Sequence, residues 1–381
     1  MRTGPALRAA LRSPLPSGDE LLFLRACLPS GEPGREAFER WQRRFADPVS
    51  GLRDHAPGRG RLLPLLQAAL RHNGASGNPQ LISALRASRA HEELRAQAMR
   101  RACRDALAAL AAHGIDVIVV GGIALTETVY GEWGLRHSHD IDLVVDEVDL
   151  DQAPAILGAH AEDRRGDVTL TLPSGVLVTL HGCLYRDPYY AAADSQQRGR
   201  AIRARVARAE AAVLDPIDML LHLCGHSACA GSASPQWAID AWHLIERNPQ
   251  LDWASLLERV RDGGLALSAL TRLTWLAQAL GASVPRACLA ELGHAAEASH
   301  PLAAEVLLHQ SRRDAGSLGL LKNVGALRAG PIVGRLLFPS ADYLRLRAAP
   351  APARNAAVLR AERAVRYSAS VLRSWRASPG P

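Results

Sequence analysis

Apolar side chains recur every three or four positions through the first third of the chain. LLFLRACL, FERWQRRFA, RLLPLLQAALRH and the run from Leu81 to Ala112 all carry this period, which predicts amphipathic helices. Proline- and glycine-rich breaks (PSGEPG, ADPVSG, APGRG, GASGNP) separate them. Between Ile115 and about His181 the pattern changes. DVIVV, DIDLVV, DVTLTL and VLVTLH are short β-branched runs and predict strands. Pro173-Ser174-Gly175 predicts a hairpin turn between the last two. If residues 172 and 176 pair across it, Thr169 faces Thr179. Helical periodicity returns at Asp215-Pro216-Ile217-Asp218, which offers an N-cap, a first-turn proline and a first-turn acid. It continues to about Ala282, and residues 300–381 read as helix and loop rich in Ala, Arg and Pro. No internal repeat is visible. The expected class is α+β. A small mixed sheet in an α/β core (106–214) is flanked by a helical N-terminal region (1–105) and a helical C-terminal domain (215–381).

Composition adds exclusions. The chain has 381 residues, 48% of them hydrophobic, enough for a substantial core. Aromatics are only 4%, which argues against base-stacking platforms and makes nucleic acid an improbable partner. No apolar run approaches the ~20 residues that span a bilayer, so no membrane partner is expected. The first twenty residues lack an apolar secretory segment, which predicts a cytoplasmic protein. Cys27, Cys103, Cys183, Cys224, Cys229 and Cys288 include no CxxC pair and read as free thiols. The net charge of +7 is diffuse, and Lys322 is the sole lysine among 45 basic residues. Uniform arginine usage of this kind reads as a genome-wide codon bias and is weak evidence for nucleic acid, while the diffuse positive balance reads as a solvated basic surface.

The candidate chemistry lies in residues 117–145, VIVVGGIALTETVYGEWGLRHSHDIDLVV. A predicted strand runs into Gly121-Gly122 and then into a short helix. Glycines at such a turn let a phosphate approach the backbone, and the helix start offers free N–H groups. Asp140-Ile141-Asp142 opens the next strand. Residues two apart on a strand face the same side, so Asp140 and Asp142 project together while Ile141 enters the core. Adjacent carboxylates repel, and a divalent cation relieves that. Mg²⁺ takes hard oxygens from one or two carboxylates and completes its shell with water and phosphate.

Gly-Gly, helix, then Asp-x-Asp on the next strand resembles the polymerase-β type of nucleotidyltransferase fold. A closer resemblance, over about residues 60 to 345, is to the bacterial family of uncharacterised nucleotidyltransferases. It rests on Gly121-Gly122, on Tyr130 and Arg136 in a Y-x5-R stretch, and on Asp140 to Val144. It continues through Val178-Thr179-Leu180-His181, the LLHL-x-x-H-like run Leu220 to His226, Trp237-x-x-Asp240, and Phe338-Pro339-Ser340. The resemblance implies transfer of a nucleoside monophosphate from an NTP to an acceptor, with Mg²⁺ (or Mn²⁺) as cofactor. Asp140 and Asp142 would be the catalytic metal ligands, Gly121 and Gly122 would hold phosphate, and Arg136 would bind nucleotide and assist with charge. The acceptor is left open among a small metabolite, a sugar, a peptide and a protein, and a toxin–antitoxin-type transferase is one form of the last.

One position departs from the family pattern. The carboxylate usual before Leu-His is Thr179 here, a poor base and a poor Mg²⁺ ligand. Asp167 lies further along the same face. Either two carboxylates suffice, or the protein is a catalytically weakened nucleotide-binding or scaffold protein of the same fold. Thr179 and His181 are possible accessory residues, with His181 either facing the site or capping the sheet edge.

Other constellations keep two readings each. Arg136 contacts phosphate or pairs with an acid. His137 and His139 are loop residues beside a Mg²⁺ site or part of a transition-metal site. His222 and His226, with Asp240, form a zinc set or, more simply, buried histidines bonded to Asp240 that clamp the helical domain to the sheet. Trp237, Trp242, Trp253 and Trp275 read as core. No GxGxxG follows a strand, and neither GxxxxGK[ST] nor GxSxG occurs, which disfavours dinucleotide-binding oxidoreductases, P-loop NTPases and serine hydrolases. Cys183 near His181 is not a nucleophile–base pair.

Overall fold

The computed structural model describes residues 15–53, 58–164, 167–229, 234–310, 334, 336, 338–348 and 358. Helices α1 (Gly18–Ala26), α2 (Glu32–Gln42), α3 (Pro48–Arg53), α4 (Leu63–His72) and α5 (Pro79–Ala112) build the N-terminal part, with a 3-10 turn at Arg59–Leu62. Trp41 of α2, fully buried, joins α1 through Phe23 at 5.3 Å between ring centroids and stacks on Phe38 of its own helix at 6.2 Å. Asn78 caps α5 by accepting from the Gln80 amide at 2.8 Å, and Pro79 occupies the first turn.

Seven strands follow: β1 (Ile118–Val120), β2 (Asp140–Val144), β3 (His160–Arg164), β4 (Asp167–Thr171), β5 (Leu177–His181), β6 (Ile202–Val206) and β7 (Ala209–Val213). They form one mixed sheet in the order β3-β4-β5-β2-β1-β7-β6. Three short helices interrupt them: α6 (Gly121–Leu125), which runs into a π turn at Thr126–Tyr130, then α7 (Ala153–Ile156) and α8 (Ala191–Gly199). The four expected strands are present. So is the hairpin, where the Leu172 amide donates to the Val176 carbonyl at 2.9 Å and Gly175 turns at φ +78. Thr169 pairs with Thr179, as the hairpin register requires.

Strands β3, β6 and β7 were not legible. HAEDR, IRARV and AEAAV are poor in β-branched residues. Pairing with β4, β1 and each other makes them strands, a case of sheet context overriding local preference.

The C-terminal part comprises α9 (Pro216–Cys229), α10 (Gln236–Arg247), α11 (Trp253–Asp262), α12 (Ala266–Trp275) and α13 (Arg286–Ala298), then helix α14 at 301–310 and α15 (Ala341–Ala348). The Asp215 cap forms as expected: its Oδ1 accepts from the Ile217 and Asp218 amides at 2.9 Å each. Much of the tail expectation, including Lys322, lies outside the described residues. One continuous hydrophobic cluster runs from Leu22 through the sheet to Tyr343. The four later tryptophans pack against it partly buried. Among the described residues no helix is long and apolar enough to cross a membrane. Cys27, Cys103, Cys183, Cys224 and Cys288 are free thiols.

Candidate active site

A cleft of about 380 Å³ opens between the ends of β1, β2 and β5 on one side and α9 and α10 on the other. β1 and β2 are antiparallel, with Val120 opposite Asp142, so the chain leaving β1 at Gly121 passes directly beside that carboxylate. The approach is close. A Cβ on Gly121 would lie 2.5 Å from Asp142 Oδ2, and the residue takes φ +61, which an L side chain resists. Gly122 is needed for a different neighbour, because a Cβ there would lie 2.0 Å from Ser138 Oγ and 2.2 Å from Arg136 Nη1.

Asp140 and Asp142 both line the cleft, with Ile141 buried between them. Burial and the neighbouring Asp142 charge push the Asp140 carboxyl up to about 6. Burial is the largest single influence on Asp142, but the His181 hydrogen bond and the neighbouring His181, His226 and His139 together outweigh it and hold that carboxyl below the usual range. β2 and β5 are parallel, so Asp142 pairs with Thr179 and Val144 with His181. Thr179 Oγ1 donates to Asp140 Oδ2 at 3.2 Å. His181 reaches Asp142 Oδ1 through Nε2 at 3.0 Å, so the histidine faces the site and does not merely end a strand. Its Nδ1 stands 3.2 Å from Asp167 Oδ2. Asp167 is buried and also ion-pairs with Arg186. It thus meets the site through His181, a link that opposing register alone (Asp167 against His181) would have indicated.

Arg136 takes the acid-pairing option. Its Nε and Nη2 donate to Asp240 Oδ1 and Oδ2 at 2.9 and 2.8 Å, and Nη1 donates to Ser138 Oγ at 3.1 Å. Tyr130 adds its hydroxyl to Asp240 Oδ1 at 2.7 Å. The Y-x5-R and W-x-x-D stretches, read separately in the sequence, therefore meet at one buried carboxylate. The loop between is fastened further: His137 Nδ1 lies 2.8 Å from Glu92 Oε2, Arg95 donates to the Ser138 carbonyl, and Gln236 donates to the His137 carbonyl at 2.9 Å.

These contacts decide two of the open readings. Asp240 is bound to Tyr130 and Arg136, not to His222 or His226. Their rings lie tilted against each other 5.2 Å apart on the cleft wall, and His222 also packs 5.4 Å from Tyr185. Burial drives the His222 ring down to about 3, and loss of solvation in the cleft lowers His226 too. Among the described residues no three His, Cys, Asp or Glu side chains gather as a metal set, so neither the zinc nor the transition-metal alternative is assembled. Two carboxylates with hard oxygens, at a turn where no Cβ fits, do suit an ion such as Mg²⁺ that draws its remaining ligands from water and phosphate.

Sequence reasoning missed Arg61, Arg186, Gln310 and Arg347 on the cleft walls. Arg186 and Arg347 are tied to buried acids, Asp167 and Asp187. No motif pointed to them, since they come from parts of the chain remote in sequence from residues 117–145.

A glycine turn set against a same-face acid pair on a mixed sheet, roofed by helices, defines a nucleotidyltransferase-like protein. The chain belongs to the family of uncharacterised nucleotidyltransferases, whose model matches residues 58–281, more than half of its length. Phe338-Pro339-Ser340 lies beyond that match. Among solved structures, an antigenic nucleotidyltransferase-like protein from Paracoccidioides brasiliensis is similar at 16% identity and a TM-score of 0.36, covering 51% of this chain and 96% of its own. No curated protein matches.

Proposed function

We propose that this cleft transfers a nucleoside monophosphate from a Mg²⁺-bound NTP to an acceptor hydroxyl. The observation that carries the reading is the Asp140–Asp142 pair, buried and crowded enough to raise Asp140 to about 6, beside a glycine turn with no room for a side chain. Asp140 and Asp142 would hold Mg²⁺ (or Mn²⁺), which supplies charge neutralisation for the triphosphate and the reacting phosphorus. The bond from acceptor oxygen to the α-phosphorus forms as the bond to the leaving pyrophosphate breaks, and the hydroxyl proton passes to water. Gly121 leaves space for phosphate beside the pair, and Gly122 lets Arg136 and Ser138 close behind the turn. Arg136 contributes positive charge at the back of the site while bound to Asp240. His181, braced by Asp167, fixes the rotamer of Asp142. The acceptor is a small molecule, a peptide or a protein, and a cytoplasmic setting fits the reading.

Calorimetry with ATP, GTP, CTP and UTP, each with and without Mg²⁺, tests binding. Labelled-NTP transfer into a lysate tests turnover. Asp140→Ala and Asp142→Ala should each reduce transfer by at least about a hundredfold. Transfer that survives both substitutions defeats the assignment.

A second reading draws on Thr179. Its hydroxyl occupies the register position opposite Asp142 and bonds to Asp140, so no third carboxylate is supplied there. The protein would then bind nucleotide with weak turnover. Thr179→Asp separates the two: a gain in transfer supports the weakened form, and a loss supports a site complete with two acids.

A further inference from the structure

Four arginines line the cleft: Arg61, Arg136, Arg186 and Arg347. Three of them are answered by buried carboxylates. Asp240 takes Arg136, Asp167 takes Arg186 and Asp187 takes Arg347, and the three acids are 1%, 3% and 5% exposed at the side chain. Arg61 is different. Among the described residues its side chain makes no hydrogen bond and no ion pair, yet it stands close enough to the acid pair for its charge to act on Asp140 and on His139.

Its position is built, not incidental. Arg61 sits in the 3-10 turn Arg59–Leu62, far from the motif in sequence but part of the family-matched segment. Arg59, two residues earlier, is buried. Its guanidinium lies 5.2 Å over the Phe23 ring and donates to the Gly51 carbonyl at 2.9 Å. Leu62 on the other side is fully buried. Gly58 starts the turn at φ +88, with Ser234 so near that a Cβ would lie 2.5 Å from its Oγ. The turn is therefore clamped from both ends, and Arg61 is the residue it presents to the cleft.

An unanswered guanidinium held in a cleft needs a partner that arrives with the ligand. A polyphosphate brings more negative charge than the acid pair and its divalent ions cancel, and arginine meets phosphate oxygens with two parallel N–H donors. We propose that Arg61, delivered by the N-terminal helical part, is the positioning cation for the polyphosphate of the ligand, opposite Gly121 and the Asp140–Asp142 pair. This rests on the nucleotidyltransferase reading above and extends it: the phosphate end of the site is completed by a segment outside the α/β core.

The test is calorimetric titration of the full chain with Mg²⁺ and the tightest-binding of the four NTPs, and separately with Mg²⁺ and inorganic tripolyphosphate. Arg61→Ala should weaken both by about tenfold or more, and Arg61→Lys should recover part of the loss. Arg203→Ala removes an exposed arginine paired with Asp116 and absent from the cleft lining, and it should bind like the parent chain. Arg61→Ala breaks no side-chain hydrogen bond or ion pair among the described residues, so its urea midpoint should stay close to the parent's. Equal binding by Arg61→Ala and the parent overturns the inference and leaves the transferase reading standing. A loss confined to the NTP, with tripolyphosphate unchanged, also overturns it, because the contact would then be to the nucleoside. An equal loss in Arg203→Ala reduces the effect to overall charge and overturns it as well. A parent chain that binds neither ligand defeats the transferase reading itself.

Discussion

At Gly121 the chain passes too close to Asp142 to leave room for a side chain. The backbone turns at φ +61, and the missing Cβ leaves Asp142 Oδ2 its place. Gly121→Ala combines a strained backbone with a clash against Asp142, so the carboxylate must move. The expected cost is about 1–2 kcal/mol in urea unfolding. Nucleotide transfer should fall far more than stability does, because the displaced side chain belongs to the proposed metal-holding pair. A variant with full transfer would show that the turn need not be open. The same scale explains why the two glycines differ. Residue spacing placed both at the turn, but only packing shows that Gly122 makes room for Ser138 and Arg136.

Among elements, the π turn after α6, the loop 131–139 and helix α10 are joined at Asp240. Its side chain is 1% exposed and answers Tyr130 and Arg136 together. Arg136 is itself largely buried, at 11%. Asp240→Asn leaves that guanidinium without its counter-charge in a dry setting. It should cost about 3 kcal/mol, read from the shift in urea midpoint. Replacing Arg136 by Gln in the same chain should return part of that loss. An Asp240→Asn chain as stable as the parent would mean that the guanidinium is solvated after all. Each of these residues was visible as part of a motif. Their convergence was not, because 104 positions separate Arg136 from Asp240 and no periodicity spans such a distance.

For the molecule as a whole, one core buries histidines from several directions, and this ties stability to pH. Burial holds the His222 ring at about 3 and the His243 ring at about 4, against an ordinary value near 6.5. His222 faces His226, His181 and Asp142, while His243 faces Arg247, Asp240 and Tyr130. The unfolded chain binds these protons first, so stability is complete above about pH 6.5 and is lost as pH falls toward 4. Asp140, raised to about 6, works the other way between pH 6 and 4 and offsets part of the loss. Two histidines against one carboxyl leave a net decrease on the order of 2 kcal/mol between pH 7.5 and 5. Urea unfolding at the two values checks it, and unchanged stability would show that these rings are already charged or hydrated in the fold.

Local pattern alone determined the helical ends, the four central strands, the hairpin register and the pairing of Asp140 with Asp142 on one face. Periodicity, β-branching and turn chemistry act over a few residues, so they can be read without the fold. The three strands of low β preference exist because neighbours accept their hydrogen bonds. The partners of Arg136, the bracing of His181 by Asp167 and the delivery of Arg61 were decided by tertiary structure. Charges and hydrogen bonds act across space, and only the folded chain brings those groups within a few ångströms.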